Sequence, residues 1–319
     1  MPSGTGQIPG LVRTTVGGAY EVELHPGGVP GAGQPAGAGQ PDVVEATLRG
    51  RLKQEQRTGD AVVAGDRVWV RRHEDGGYTI EEVEERRTEL ARRAPGPRGK
   101  HQAKVVVANV DQIVAVFSVA HPEPHLRMLD RFLVLAEANG LDAAIVANKV
   151  DLDREAAAAF EAYEAIGYPV VYTSAETGEG VDALHELLCG RTSVLTGPSG
   201  VGKSSLLNVM EPALQLRVGE VSGAVRKGRH TTVSSVLIPL GCGGYVADTP
   251  GLRELGLWGV EAQELGACFP ELRPYLGECQ FRSCTHTHEP GCAVREAVES
   301  GEIRADRYHS YAALLDGDD

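Results

Sequence analysis

The chain lacks several features, and each absence narrows what it can be. Nowhere in its 319 residues is there a run of about 18 apolar residues, so no transmembrane helix is expected and no membrane partner. The opening MPSGTGQIPGLVRTT has no basic segment followed by an apolar stretch, so no signal peptide is expected. Cysteine is sparse, at six residues, and Cys189, Cys242 and Cys268 stand singly and read as reduced core residues. With no leader and no evident disulfide framework, a cytoplasmic protein is expected. Positive charge is also short. The formal net charge of −13 argues, on average, against a nucleic-acid partner. Internal repeats are missing.

What is present reads as a globular chain. Hydrophobic content of 42% and charged content of 24% are ordinary for that class, and the length holds two or three domains. Residues 1–98 carry short strand candidates: YEVEL at 20–24, VVEATLR at 43–49, AVVAGDRVWVRR at 61–72 and YTIEEV at 78–83. Close spacing and Gly-Asp turns predict a small β-barrel of the OB type, with an SH3-like barrel as the alternative. Residues 26–41 are rich in Gly, Ala and Pro and are expected to be a disordered insertion. No first barrel strand is assigned. Across 104–255 strands and helices alternate, which predicts a parallel α/β sheet. In HLRMLDRFLVLAEANG, Leu126, Leu129, Phe132, Leu133, Leu135 and Ala136 recur at helical spacing, and Gly140 ends the helix. Across 256–319 a Cys/His loop precedes two helical segments. The expected class is multi-domain α/β: an N-terminal OB-type barrel, a permuted P-loop nucleotide domain and a small C-terminal helical metal domain.

The nucleotide reading rests on five motifs. Gly197, Pro198, Ser199, Gly200, Val201, Gly202, Lys203 and Ser204 spell a phosphate loop between the strand TSVLT and the helix that continues through Ser205. Its backbone N–H groups converge on the β-phosphate, Lys203 spans the β- and γ-phosphates, and Ser204 offers a hydroxyl to Mg²⁺. DTPG at 248–251 puts Asp248 at a strand's end, fit for the Mg²⁺ shell, and Gly251 near the γ-phosphate. Thr231 or Thr232 completes that shell. NKVD at 148–151 reads guanine: Asp151 accepts the adjacent N1–H and N2–H₂ donors, a discrimination worth roughly 1–3 kcal/mol by analogy with groove readout. Asn148 ties this loop to the phosphate loop, and Lys149 covers the base with its stem. Ser174 and Ala175 supply N–H groups to guanine O6. Together these predict a GTP/GDP site; a P-loop kinase for a small metabolite is the weaker reading, because it leaves NKVD without a purpose.

The order is unusual. The base motifs at 148 and 174 precede the phosphate loop at 197, the threonines at 231 and Asp-x-x-Gly at 248, which is the usual cycle cut and rejoined, a circular permutation. The chain therefore leaves the nucleotide domain directly after the segment that senses the γ-phosphate. Nucleotide state is expected to reposition 256–319.

CQFRSCTHTHEPGC supplies Cys279, Cys284, His286 and Cys292, a set that suits one closed, structural Zn²⁺ site, with His288 as the alternative imidazole. Two local stretches offset the overall acidity. Arg86, Arg87, Arg92, Arg93, Arg98, Lys100 and Lys104 face a single Glu89, and Arg226, Lys227 and Arg229 form the second stretch. They are either solvated loops or nucleic-acid contacts.

The combination of GDRVWV, ANVDQIVAVFSV, LDRFL, NKVDL, TGPSGVGKSSLLN, RKGRHTT, DTPGLRELGLW, FPEL, CQFRSCTHTHEPGCAVREAVESGEI and RYHSY resembles the RsgA (YjeQ/EngC) family of bacterial circularly permuted GTPases, from about residue 43 onward. The resemblance implies an OB fold, a permuted GTPase and a zinc domain. It also implies binding to the small ribosomal subunit and its rRNA late in maturation, with hydrolysis of GTP stimulated by the subunit. After Asp-x-x-Gly many GTPases carry a water-orienting glutamine; here Leu252 has no polar atom to do this, so slow intrinsic hydrolysis is expected. The resemblance makes His230, beside Lys203, a catalytic candidate for positioning water. A nucleotide-dependent RNA-binding checkpoint, with hydrolysis only as a release timer, is the alternative. A monomer is the simplest expectation.

Overall fold

A computed structural model describes residues 6–16, 18–29, 42–50, 52, 61–95, 101–215, 235–249 and 261–317. Five strands form a closed barrel: β1 (Gln7–Val16), β2 (Ala19–Leu24), β3 (Val43–Leu48), β4 (Arg67–Arg72) and β5 (Tyr78–Val83), in the order β1-β2-β3-β5-β4 with β1 closing on β4. The β3–β5 pair is parallel and the others antiparallel. This is the expected OB-type barrel. Alternation sends Tyr20, Val22, Leu24, Ala46, Leu48, Val68, Val70 and Ile80 into one core, with each valine, leucine and isoleucine contributing about 1.5–3 kcal/mol on burial. The unassigned first strand is β1, which presents Ile8, Gly10 and Val12 inward. Of the segment 26–41, residues 26–29 are described, with Val29 packed against the apolar cluster that contains Leu11 and Leu237; 30–41 lie outside the described residues.

The basic stretch at 86–104 does not read as a simple loop. Its flanks pair as an antiparallel hairpin, β6 (Glu89–Pro95) with β7 (His101–Ala108). The hairpin's base is tied to the barrel. Arg86 grips buried Asp66 with two hydrogen bonds of 2.7 and 3.0 Å and donates to Ala61 O at 2.8 Å. Asn109 donates to Gly65 O. On its other side the barrel meets the nucleotide-domain sheet, where Arg13 donates to Leu237 O and Tyr245 to Glu23 Oε1. Leu11, Leu90, Val107, Ile113, Val194 and Leu237 close this junction as one apolar cluster.

The second sheet has six strands: β8 (Gln112–Ser118), β9 (Asp142–Asn148), β10 (Val170–Thr173), β11 (Thr192–Thr196), β12 (Val236–Pro239) and β13 (Tyr245–Asp248), ordered β10-β9-β8-β11-β13-β12. All pairs are parallel except β12–β13. Every residue of β8 is buried, as a central parallel strand with both faces covered requires. Helices α1 (Leu126–Ala138), α2 (Glu161–Ile166), α3 (Val181–Leu188) and α4 (Lys203–Met210) cover the two faces. His125 caps α1, its side chain accepting from Met128 N.

The C-terminal unit holds α5 (Ala262–Leu265), α6 (Ala293–Ser300) and α7 (Ala305–Asp316) around Phe269, Leu272, Val294 and Tyr311. Val134 of α1 belongs to the same core, so this unit is built onto the six-stranded domain. Buried Arg307 fixes it there, donating to Asp130 of α1 at 2.5 Å and to Glu271 at 2.6 Å. One reading of the cysteines is corrected. Cys189 and Cys242 are not reduced core residues; they are half-exposed and joined in a disulfide, because the end of α3 and the β12–β13 turn meet at one edge of the sheet. Cys268 is a buried free thiol.

Candidate nucleotide and metal sites

The carboxyl ends of β8, β9, β11 and β13 lie along one sheet edge, and the chain runs outward in opposite directions from β8 and β11. Ligands of open α/β sheets bind in the crevice at such a switch point. The phosphate loop starts there. Gly197 has a φ of 135°, and a Cβ on it would fall 2.0 Å from Val116 O of β8, so only glycine fits. Lys203 and Ser204 open α4 and are both buried. Lys203 Nζ donates to Gly197 O and Pro198 O at 2.8 Å each, which holds the ammonium inside the loop. Asp248 ends β13, which runs parallel to β11 with Ala247 beside Val194, so its carboxylate shares the edge with Gly197.

The base motifs meet this loop from the other side. Asn148, buried at the end of β9, donates from Nδ2 to Val201 O at 2.7 Å and accepts from Thr173 Oγ1 at 3.0 Å. A Cβ at Gly202 would lie 2.3 Å from that same Nδ2, so the glycine makes room for the bond. Lys149 has a φ of 64° and its ammonium donates to His121 O. Asp151 is exposed in the turn that follows β9. In the loop after β10, Ser174 N–H donates to Glu179 O at 2.9 Å. Ser174 and Ala175, the two residues whose amides are expected at guanine O6, both lie in this loop. Arg154 and Glu179, 2.6 Å apart, bridge the two base loops. Thr173 and His121 were not singled out in the sequence. Thr173 could have been found from its place directly before Ser174, whereas the His121 carbonyl has no sequence signal. His230, Thr231, Thr232, Gly251 and Leu252 lie outside the described residues.

The Cys/His loop forms a second site. The ligand atoms of Cys279, Cys284, His286 and Cys292 all lie within 4.8 Å of one another. Cys279 Sγ is 3.8 Å from Cys292 Sγ, and the two sulfurs are 3.4 and 3.5 Å from His286 Nδ1. A tetrahedral zinc with Zn–S of about 2.3 Å and Zn–N of about 2.0 Å sets its ligand atoms about 3.5–3.8 Å apart. The Cys279, His286 and Cys292 donors already stand at those separations, with Cys284 Sγ within 4.8 Å of each. His288 is exposed and turned to Thr287 Oγ1, outside the cluster. Without metal, burial pushes the Cys284 thiol up to about 12 and raises Cys292 too, so metal binding must displace protons from both. Glu289 accepts from Thr285 Oγ1 and from the Thr285 and Thr287 amides, which hold its carboxyl well below the usual range and brace the loop. Tyr308 and Tyr311 of α7 donate to His286 O and Thr285 O, so the loop is fixed to the helices beneath it.

Among the described residues no helix is long and apolar enough to cross a membrane. Comparison with known proteins agrees with this geometry. A family model described as RsgA GTPase matches residues 83–258. A protein of Gemmatimonas aurantiaca named small ribosomal subunit biogenesis GTPase RsgA is 50% identical, with 98% of each chain covered. The protein of the same name from Chlorobaculum parvum is 41% identical, with 97% of each covered. Among solved structures, YjeQ from Thermotoga maritima is similar with a TM-score of 0.77 at 35% identity, covering 98% of each chain. YloQ, described as a circularly permuted GTPase, is similar with a TM-score of 0.72 at 32% identity, covering 100% of this chain and 97% of its own.

Proposed function

This chain belongs to the RsgA GTPase family, and from that premise we propose that it binds the small ribosomal subunit and hydrolyses GTP late in the subunit's maturation, with the subunit stimulating the reaction. It is a GTPase of small-subunit biogenesis. The observation that carries the reading is the Asn148–Val201 bond, which joins a guanine-reading loop to a phosphate loop across a permuted sheet.

In the reading proposed here, Asp151 takes the N1–H and N2–H₂ of guanine, the stem of Lys149 lies along the base, and Ala175 N–H meets O6. The loop amides from Gly197 to Ser205 and the Lys203 ammonium neutralise the β- and γ-phosphates. Ser204 and Asp248, with Thr231 or Thr232, would hold Mg²⁺, which lends its charge to the phosphate oxygens. Water attacks the γ-phosphorus in line, and the loop donors stabilise the charge that gathers on the leaving oxygen. Leu252 cannot orient that water, which leaves His230 or a group on the bound subunit to do so. The barrel and the β6–β7 hairpin supply the basic surface for rRNA, and the work takes place in the cytoplasm as a monomer.

The test is GTP hydrolysis by the purified chain with and without small ribosomal subunits, with ATP as control. Stimulation by an order of magnitude or more, confined to GTP and to the small subunit, is the expected result. An unchanged slow rate would overturn the dependence on the subunit.

The Cys279, Cys284, His286 and Cys292 site is assigned to one structural zinc. Elemental analysis should find a single equivalent per chain. Cys284→Ser should lose most of it and melt the C-terminal unit early, since structural zinc binding is itself folding free energy. Retention of a full equivalent by that variant would refute the ligand set.

A further inference from the structure

A second group of soft donors sits far from both sites just described. His185 on α3, Cys189 at its C-terminal cap and Cys242 in the β12–β13 turn place one ligand atom each within 4.8 Å of one another. His185 Nδ1 is 3.5 Å from Cys189 Sγ, and its other nitrogen, Nε2, is 4.0 Å from Glu211 Oε1. Glu211, at the end of α4, is fixed by accepting from Gly241 N at 2.6 Å. The imidazole thus has a sulfur near one ring nitrogen and a carboxylate near the other. That is the arrangement by which a base, oriented by a third group, serves a nucleophile. All four residues are half-exposed, so a small reagent can reach them.

We propose that Cys189 and Cys242 form a thiol–disulfide exchange site that takes a low-molecular-weight disulfide of the glutathione class, with Cys189 as attacking sulfur, Cys242 as resolving sulfur and His185 handling the proton. Starting from the dithiol, the Cys189 proton passes to His185 and the thiolate attacks one sulfur of RSSR. A Cys189–S–S–R bond forms and RS⁻ leaves. The Cys242 thiolate then attacks the Cys189 sulfur and expels the second RS⁻. The two protein thiols lose two electrons and two protons, and RSSR becomes two RSH. In reverse, His185 protonates the Cys189 sulfur as it departs.

The position gives the exchange a consequence. Cys242 lies at the turn of the hairpin that ends in Asp248, and Cys189 lies three residues before β11, which ends in the phosphate loop. The bond closes a loop of 53 residues' separation that contains the whole phosphate loop and both candidate Mg²⁺ threonines. Oxidation therefore staples the nucleotide domain shut at the sheet edge away from the nucleotide, and reduction frees it. Disulfides that occur in reducing compartments are usually transient or sensing ones.

The experiment uses the full zinc-loaded chain in glutathione buffers of graded GSH to GSSG ratio, with thiols counted by alkylation and mass spectrometry. Cys189 and Cys242 are expected to interconvert with the ratio while Cys279, Cys284 and Cys292 stay reduced, and the reduced form should melt several degrees lower. Cys242→Ser should trap glutathione on Cys189. His185→Ala should slow that capture by roughly tenfold or more, with free imidazole in the buffer restoring part of the rate. A pair that ignores the glutathione ratio, or a Cys242→Ser chain with no adduct on Cys189, would overturn the proposal. So would uptake of a second zinc by the reduced chain with loss of thiol reactivity, which would make the cluster a metal site instead.

Discussion

Arg307→Ala is expected to lower the unfolding free energy by about 3–5 kcal/mol, measured by urea denaturation, and to detach the C-terminal unit from α1. The Arg307 side chain is 3% exposed and donates to Asp130, itself buried, and to Glu271. Its guanidinium also lies over the rings of Phe269, at 4.7 Å, and Tyr163, at 5.5 Å. Burial alone would lower the Arg307 pKa, but Asp130 and Glu271 outweigh it and keep the cation strongly charged. Removing the cation leaves the buried Asp130 carboxylate with the Tyr163 hydroxyl, which donates to it at 2.7 Å, in place of a full opposite charge. The cost is therefore that of an uncompensated buried charge and not of a surface pair, which is worth at most about 1 kcal/mol. Arg307→Lys should recover only part of the loss, because an ammonium cannot reach both carboxylates in the guanidinium's plane. A loss below about 1 kcal/mol for the alanine variant would show that the unit is held by its apolar core alone.

Lys203→Ala is expected to reduce GTP hydrolysis by about 10²–10³-fold while costing less in GDP affinity. In the structure the ammonium is buried and held by two carbonyls of its own loop, so it is in place before any phosphate arrives. An arriving β,γ-phosphate pair offers charged oxygens in exchange for neutral ones, and most of the gain appears as charge builds in the transition state. Comparing the rate with GDP affinity separates the two contributions. Equal losses in binding and rate would mean that the lysine serves only to hold nucleotide. A hydrolysis-dead variant that still bound the subunit and supported its maturation would favour the checkpoint reading, in which hydrolysis only times release.

The two sites were legible for a common reason: their chemistry is carried by short backbone segments. GPSGVGKS and NKVD each shape one loop at one strand end, and the four residues that could hold a metal ion fall within fourteen residues, Cys279 to Cys292. What the sequence hid depends on distant partners or on broken patterns. In β1, Pro9 and Gly10 interrupt the alternation that marks a strand, and Gly10 is there because a Cβ would meet Val22 at 2.6 Å. In β6 and β7 the arginines that suggested a solvated loop sit on strands paired over six residues or more. Cys189 and Cys242 looked solitary because nothing local pairs residues so far apart. Arg307 carries no signal in the sequence, because its carboxylate partners lie 177 and 36 positions away. The bond from the Ser174 amide to Glu179 O is likewise visible only in the fold.

The Asn148 carboxamide bears on how such a protein came to exist. One planar group takes a hydroxyl from β10's end and gives a proton to the phosphate loop, so three segments from distant parts of the chain are stitched together without a peptide bond between them. A pocket assembled by side-chain stitches is indifferent to the order in which its pieces are translated. A gene encoding it can be cut in one connection and rejoined in another without disturbing the pocket, and the only thing inherited from the cut is where the new ends emerge. Here they fall at the start of β8 and just after Asp248, so a barrel precedes the base reader and a helical unit follows the segment that meets the phosphate.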